Sequence, residues 1–379
     1  MEGLVEPFRS VQPFSSPLTG SHWHAQFFGS ELNDSMLKTL AGAKCPIMAM
    51  TAKGYGTAGR ITGPISLEEI RAARARLPAS VLRTPLVRLN FEGSPVEIFL
   101  KLENLQPTGS FKVRGASNSI ALAGPEAKAR GVYTVSAGNM AQALAWQARE
   151  RGIECTTIVP DNAPATKLDA IKRFGAKVIQ VSFDEVWQVV VNHQYPPLKN
   201  SVFIHPFADS RMIAGNGTIG LEVMEDLPQV GSVLVPFGGG GLSTGIASAI
   251  HPLNEKVRVY ACEPETAAPL TASFAAGEPR DVNRIPSFVD GAGGKSVLSE
   301  IWQMASRLLA GSIPVSLKEA AASVKLLAER HRVISEGAGA LALAAALAGK
   351  GGRGSIVCVV SGGNIDSSKL SRILAGEVP

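Results

Sequence analysis

Lys112 stands in the stretch Ser110-Phe111-Lys112-Val113-Arg114-Gly115, between an apolar alternating run at 96–102 and a run of small residues from Ala116 to Ala123. The first run reads as a strand and the second as a helix. Ser110 has the chemistry of an N-cap, and Gly109 lets the chain turn sharply before it. Lys112 then falls in the first helical turn, where orphan amides and the positive end of the helix dipole disfavour another positive charge. An amine held neutral is a nucleophile for aldehydes. The plain alternative is a surface lysine at a helix start, because so short a motif recurs by chance.

Three further stretches of small and polar residues follow strand-like runs. Ser136-Ala137-Gly138-Asn139-Met140 comes after 132–135, Gly238-Gly239-Gly240-Gly241 after 233–237, and Ser361-Gly362-Gly363-Asn364 after 356–360. Open α/β sheets bind ligands outside the carboxyl ends of such strands. Four glycines between a strand and a helix offer bare amides with no Cβ, which is how backbone closes around a phosphate. As a mere flexible turn they would be costly in chain entropy. A nicotinamide dinucleotide is the rival ligand, since Glu263 ends the next strand near the spacing of a ribose-binding acid. Against it, Ser243 or Thr244 takes the last position of either G-x-G-x-x-G register, and hydride transfer does not use a lysine at a helix start. No Lys-Ser or Lys-Thr follows the glycines, so the run is not a Walker A loop.

The elements that must position these loops alternate along the chain. Ser66-Leu67-Glu68-Glu69 is a capping box opening a helix over Leu67 to Leu77. Strand-like runs near 131–135, 155–159, 177–181, 202–204, 232–236, 257–262 and 355–360 alternate with helical patterns. The helical patterns cover Met140 to Arg151, Ala165 to Phe174, Thr218 to Asp226, Leu242 to Ile250, Leu317 to Arg332 and Gly337 to Leu347. This rhythm predicts parallel sheets covered by helices. With 379 residues, 45% of them hydrophobic, the chain can bury a core large enough for more than one globular unit. Residues 1–60, rich in Ser, Gly and Pro, read as an appended arm, disordered or packed on a partner subunit, and Met50 is an alternative start. His22 and His24 lack the further ligands a metal site needs.

The net charge is +5, but Lys and Arg are scattered among acids with no basic block, so nucleic acid is not an expected partner. Cys45, Cys155, Cys262 and Cys358 show no metal spacing, and the last three sit in apolar runs as small core residues. That suits a reducing compartment. No secretory signal is legible, and the uncharged stretch Gly337 to Gly349 is too short to span a membrane. A cytoplasmic protein without a membrane partner is expected.

The ordered set 110–115, 136–139, 238–241, Glu263-Pro264, Glu336-Gly337-Ala338-Gly339 and 361–364 resembles the fold-type II pyridoxal phosphate enzymes. The likeness is to their threonine/serine dehydratase and serine racemase branch, and covers about residues 64 to 370. It implies an α/β fold like the tryptophan synthase β chain, with two parallel-sheet domains and pyridoxal 5'-phosphate between them. The small domain would be 125–205, inserted in a large one made of 61–124 and 206–379. By the same resemblance, Lys112 bonds the cofactor aldehyde and Phe111 packs beside the ring. Asn139 bonds the ring hydroxyl, Gly238, Gly239, Gly240 and Gly241 hold the phosphate, and Ser361 faces the ring nitrogen. Ser136, Ala137, Gly138, Asn139, Met140 and Gln142 form the side that binds the substrate carboxylate. A neutral hydroxyl at the ring nitrogen suits β-elimination better than transamination.

What the resemblance implies is a dehydratase that removes water from a 3-hydroxy amino acid such as threonine or serine, giving a 2-keto acid and ammonia. A homodimer is implied as well. Val113 stands where threonine and cysteine synthases of this fold have Asp. Ala137 stands where racemases have a second serine, which disfavours racemisation, and Met140 where the family usually has His. Glu263 resembles a cation ligand of the family, for Mg2+ or a monovalent ion, but Pro269 replaces a further acid; capping a helix is its other reading. The chain ends soon after Ser361, leaving no room for a regulatory domain and pointing to a catabolic or specialised dehydratase. Phe183 and Trp187, in 182–191, suggest a bulkier substrate such as phenylserine. The remaining alternatives are a racemase of the same fold, a nicotinamide oxidoreductase and a silent cofactor-binding protein.

Overall fold

A computed structural model describes residues 59–94 and 96–379. Most of the predicted arm, with His22, His24, Cys45 and Met50, lies outside the described residues. Within them the α/β class and the two sheets of parallel strands expected from the sequence are present.

The larger sheet has six strands in the order β1-β2-β10-β7-β8-β9, formed by Leu86–Arg88, Ile98–Lys101, Ile356–Val359, Ser232–Pro236, Arg258–Pro264 and Gly311–Val315. All pairs are parallel except β1 with β2, and Val357 lies opposite both Val233 and Phe99. Its two middle strands, β10 and β7, are buried along their whole length and apolar apart from Ser232 because both faces are covered. Val233, Val235, Val357 and Val359 pack under helices α1 (Leu67–Arg76), α6 (Ser210–Asp226), α7 (Gly241–Ile250) and α9 (Ser299–Leu308). Leu234, Ile356 and Cys358 pack under α10 (Leu317–Leu326), α11 (Gly337–Leu347) and α12 (Ser367–Leu374). The capping box at Ser66 and Glu69 is formed at the start of α1.

The smaller sheet has four parallel strands in the order β5-β4-β3-β6, from Lys177–Val181, Cys155–Pro160, Val132–Val135 and Val202–Phe203. Helices α2 (Lys112–Arg130), α3 (Asn139–Glu150) and α4 (Ala165–Arg173) cover one face, and α5 (Phe183–Asn192) the other. Gly124, with φ 51°, and Pro125 break α2 where the sequence reading ends its helix.

Several elements differ from the sequence reading, strand β9 and helix α6 among them. Strand β9 escapes it because Pro314 interrupts the run, which is tolerable at the sheet edge. Helix α6 starts at Ser210, capped by Asp209, rather than at Thr218. Its glycines, poor helix formers, are needed for close packing: a Cβ on Gly215 would lie 2.6 Å from the Arg114 carbonyl, and one on Gly217 2.9 Å from that of Gly245. Cys155, Cys262 and Cys358 are free and buried in strands β4, β8 and β10. Among the described residues no helix is long and apolar enough to cross a membrane.

Candidate active site

Helices α2, α3, α7 and α11 all begin at the carboxyl ends of strands or close beside them, and none has a side-chain cap. Of the other helices, α1, α5, α6 and α10 are capped by Ser66, Ser182, Asp209 and Ser316, while α4, α9 and α12 also lack a side-chain cap. Amides left bare at a helix start are free for a ligand.

Lys112 is the first residue of α2, and its Nζ donates to the Pro206 carbonyl at 2.6 Å and lies 5.1 Å from the centre of the Phe111 ring. Burial lowers its pKa from 10.5 to about 8. The sequence reading ascribes this depression to the helix start; removal of the amine from water is the cause seen in the structure. Ser110 is not the N-cap. Its backbone bridges to Gly362 and the Phe111 amide donates to the Ser361 carbonyl, which delays the helix and leaves Phe111 at the cap position. The Ser110 Oγ is thereby buried with no hydrogen-bond partner among the described residues.

Strand β7 ends at Pro236 and α7 begins at Gly241, with Gly240 at φ 87°. A Cβ on Gly239 would lie 2.2 Å from the Phe207 ring, and one on Gly241 2.5 Å from the Phe207 carbonyl. The Pro206-Phe207 segment therefore touches both the lysine amine and the glycine run. On the other side, Cβ atoms on Gly238 and Gly291 would meet the Gly291 carbonyl at 3.2 Å and Glu336 Oε1 at 3.0 Å. Glu336 Oε1 accepts from Asn139 Nδ2 at 2.9 Å, and Asn139 Oδ1 accepts from Asn364 Nδ2 at 2.8 Å. Asn364 Nδ2 also donates to the Thr108 carbonyl at 2.9 Å. These contacts run from Lys112 past the glycines to Asn139, and return through Ser361 and Phe111. Four of the sequence motifs thus enclose one site. Burial pushes Glu336 up to about 7, helped by Asp290 and opposed by the Asn139 hydrogen bond.

The loop before α3 is ordered by Ser136 Oγ, which accepts from the Gly138 amide at 3.1 Å. Ala137 is partly buried and Gln142 buried in the first turn of α3. Met140 follows Asn139 in the first turn of α3. Its side chain is 2% exposed in the core with Val113, Ile120 and Leu144, so only its backbone can serve the site.

Glu263 takes the helix-capping role that the sequence offers as its other reading. One carboxylate oxygen accepts from the Leu270 amide at 2.9 Å, and the other from the amide and hydroxyl of Thr271 and from Ser312 Oγ, each at 2.8 Å. It caps α8 (Pro269–Ala276), whose first residue is Pro269, and is fully buried. Both oxygens are engaged by these donors, which is the helix-capping reading of Glu263 and leaves the nicotinamide reading without a free acid. Among the described residues no group of three His, Cys, Asp or Glu could hold a metal ion. Glu263→Ala is expected to lower stability by about 1–3 kcal/mol through unsatisfied buried amides, as urea unfolding would measure.

The sequence reading gave Arg114 no role. It is 1% exposed and pairs with Glu103 at 2.8 Å and Glu222 at 2.7 Å, while Lys101 Nζ reaches Glu222 at 2.6 Å. Two cations and two anions thus tie the start of α2 to the end of β2 and to α6. The only signal was an arginine two residues after the lysine in an otherwise small-residue helix.

A partly neutral amine, a bare glycine-lined helix start and a second bare helix start suit a phosphorylated aromatic aldehyde and an amino-acid carboxylate. Residues 78–362 match the family described as "Pyridoxal-phosphate dependent enzyme". The chain is 40% identical to an L-threonine ammonia-lyase of Thermotoga maritima over 315 residues, covering 82% of this chain and 78% of that protein. It is 37% identical to a catabolic L-threonine dehydratase of Escherichia coli over 316 residues, covering 82% and 96%. Among solved structures, maize serine racemase superposes with a TM-score of 0.73 at 32% identity, covering 83% of this chain and 98% of that one. The processed threonine deaminase isoform 2 of Solanum lycopersicum gives 0.75 at 30%, covering 85% and 92%. Family match, relatives and site geometry agree: the chain is an enzyme of the fold-type II pyridoxal-phosphate-dependent family, in its threonine/serine dehydratase branch.

Proposed function

We propose that this enzyme removes water from a 3-hydroxy amino acid, threonine or serine in the first instance, to give a 2-keto acid and ammonia. The observation that carries this reading is the partly buried Lys112 amine, with a pKa near 8, beside the bare glycine run. In it Lys112 holds the cofactor aldehyde, Gly238 to Gly241 the phosphate and Ser361 the ring nitrogen. The second Nδ2 hydrogen of Asn139 serves the ring hydroxyl, while Glu336 and Asn364 fix its plane. When bound, the cofactor draws electrons from the amino acid and makes its Cα proton removable.

The chain's own groups do the rest. Bare amides at the start of α3, with Ser136, orient the substrate carboxylate on the positive end of that helix. The Lys112 amine, freed when the substrate's own amino group replaces it on the cofactor aldehyde, would take the Cα proton as general base. The bond from Cβ to the hydroxyl breaks, and the hydroxyl leaves as water with a proton from solvent. The released enamine shifts a proton to become an imine, and water hydrolyses it to the keto acid and ammonia. In this reading the smaller sheet with α2 to α5 forms the smaller lobe, so its boundary lies at the start of α2 rather than at 125.

Racemisation, the second reading, is suggested by the maize relative's name, but Ala137 carries no hydroxyl to deliver a proton from the opposite face. Met140 and Pro269, the departures from the family pattern, speak little for a silent protein, since the Met140 side chain is in the core and Pro269 opens α8. The bulkier-substrate expectation also loses support. Trp187 packs with the cluster around Tyr133 and Val190, and Phe183 is 53% exposed. Assay of keto-acid release from threonine, serine and phenylserine tests the proposal, and no release from any of them would overturn it.

Two further outcomes are expected. Below pH 8 the amine is mostly protonated, so attachment of pyridoxal phosphate to the cofactor-free protein should speed up about tenfold per pH unit and level off above pH 8. A rate still rising at pH 10 would mean an ordinary lysine. Gly239→Ala, which pushes a methyl into the Phe207 ring, should weaken cofactor binding at least about tenfold in an absorbance titration.

A further inference from the structure

His205 lies under the site and takes no part in the chemistry above. It is 1% exposed, and its Nδ1 is 2.7 Å from the Ala208 amide nitrogen and 3.2 Å from that of Phe207. Amides only donate, so Nδ1 accepts, the ring hydrogen is on Nε2, and Nε2 donates to the Val190 carbonyl at 3.2 Å. Both nitrogens are engaged and one tautomer is fixed. The residue between His205 and these amides is Pro206, which has no N–H and a restricted φ, so the imidazole closes a tight turn around it. The one Pro206 group left to act is its carbonyl, and that carbonyl accepts from Lys112 Nζ at 2.6 Å. The next residue, Phe207, sets its ring over Gly239.

The surroundings keep this imidazole neutral. The titratable groups facing it are His193, at the end of α5 with ring centres 4.3 Å apart, and Lys112. His193 itself contacts Glu300 of α9 at 3.2 Å. Phe203 and Phe207 present edges at 5.6 and 4.7 Å. Burial, His193 and Lys112 all hold the His205 pKa well below its usual value, against the hydrogen bond to Val190. A second ring proton would also face two amide hydrogens.

We propose that His205 is a positioning residue: its Nδ1 clamps the turn 205–208 so that the Pro206 carbonyl orients the Lys112 amine and the Phe207 ring lines the glycine cradle. The proposal rests on the reading of Lys112 as the cofactor lysine. A shift of about 1 Å in a reacting group can cost about 100-fold, so the amine's placement is sensitive to this turn.

The test follows covalent capture at Lys112. Cofactor-free protein is mixed with pyridoxal phosphate, trapped with borohydride at timed intervals, and the modified lysine identified by peptide mass spectrometry. With His205→Leu, capture at Lys112 should slow at least about tenfold and kcat fall similarly, with KM for threonine changing less than about threefold. His205→Asn, whose side-chain oxygen can accept the same amides, should restore capture to within about threefold of the unsubstituted protein. Capture by His205→Leu at the unsubstituted rate, or equal slowing by both variants, overturns the proposal. Capture at another lysine in the unsubstituted protein instead overturns the assignment of Lys112 itself. If His205→Leu does not fold, nitrogen NMR of imidazole-labelled protein decides: an unprotonated Nδ1 from pH 6 to 9 is expected, and a protonated one overturns the clamp.

Discussion

Lys112→Met is expected to lower keto-acid release at least about 1000-fold and, at the same time, to stabilise the cofactor-free protein at neutral pH. The first effect follows from removing the amine that the proposed function uses to hold the cofactor and to take the Cα proton, which here contacts the Pro206-Phe207 segment beside the glycine run. The second follows from linkage. The folded-state pKa, about 8, lies below the ordinary 10.5, so between those values the unfolded chain binds more protons than the folded one. Stability therefore rises with pH across that window. Below pH 8 the full cost of burying the ammonium is present, and above 10.5 none remains. Methionine keeps the stem's packing and removes the charge. The gain should be about 1–3 kcal/mol at pH 7, reduced by loss of the bond to Pro206, and should shrink as pH rises past 8. Urea unfolding at pH 7 and pH 9.5 measures it. A variant that is inactive but no more stable at pH 7 would show that the amine is not desolvated.

Arg114→Met should be the most destabilising of the substitutions considered, by about 3–5 kcal/mol. The side chain is buried and forked between Glu103 and Glu222, which raises its own pKa and holds the Glu103 carboxyl below its usual range despite burial. Without it, two buried carboxylates share the single charge of Lys101. Adding Glu103→Gln should return a large part of the loss, because the remaining charges then balance. Adding Arg88→Met, an exposed arginine outside the quartet, should return nothing. Scanning calorimetry of the single and double variants checks this, and a near-neutral Arg114→Met would mean that the quartet does not anchor α2. Lysine at this position is not conservative, since it cannot make the forked contacts.

Local chemistry made much of this enzyme legible before any fold was known. The alternation of apolar runs with helical patterns fixed an α/β architecture, because side-chain periodicity follows directly from backbone geometry. The glycine run after 233–237 reads as an anion site for the same local reason: amides without Cβ atoms at a helix start can serve anions whatever surrounds them. Ser110 shows where such reasoning stops. Its type favours a cap, yet a bridge to Gly362, far along the chain, holds it in an extended conformation.

What depends on burial or on distant partners was decided only by the tertiary structure. Met140, at a motif position, turned inward because the space under α3 is apolar. Glu263, at a place suited to a ribose or a cation, turned to the bare amides of α8. Lys112 owes its lowered pKa to desolvation and its orientation to a carbonyl 94 residues away. The sequence by itself determined which residue types meet strand ends and helix starts. The tertiary structure decided which of them lose water and what each then faces, since desolvation and contact sum over the whole fold and no short stretch encodes them.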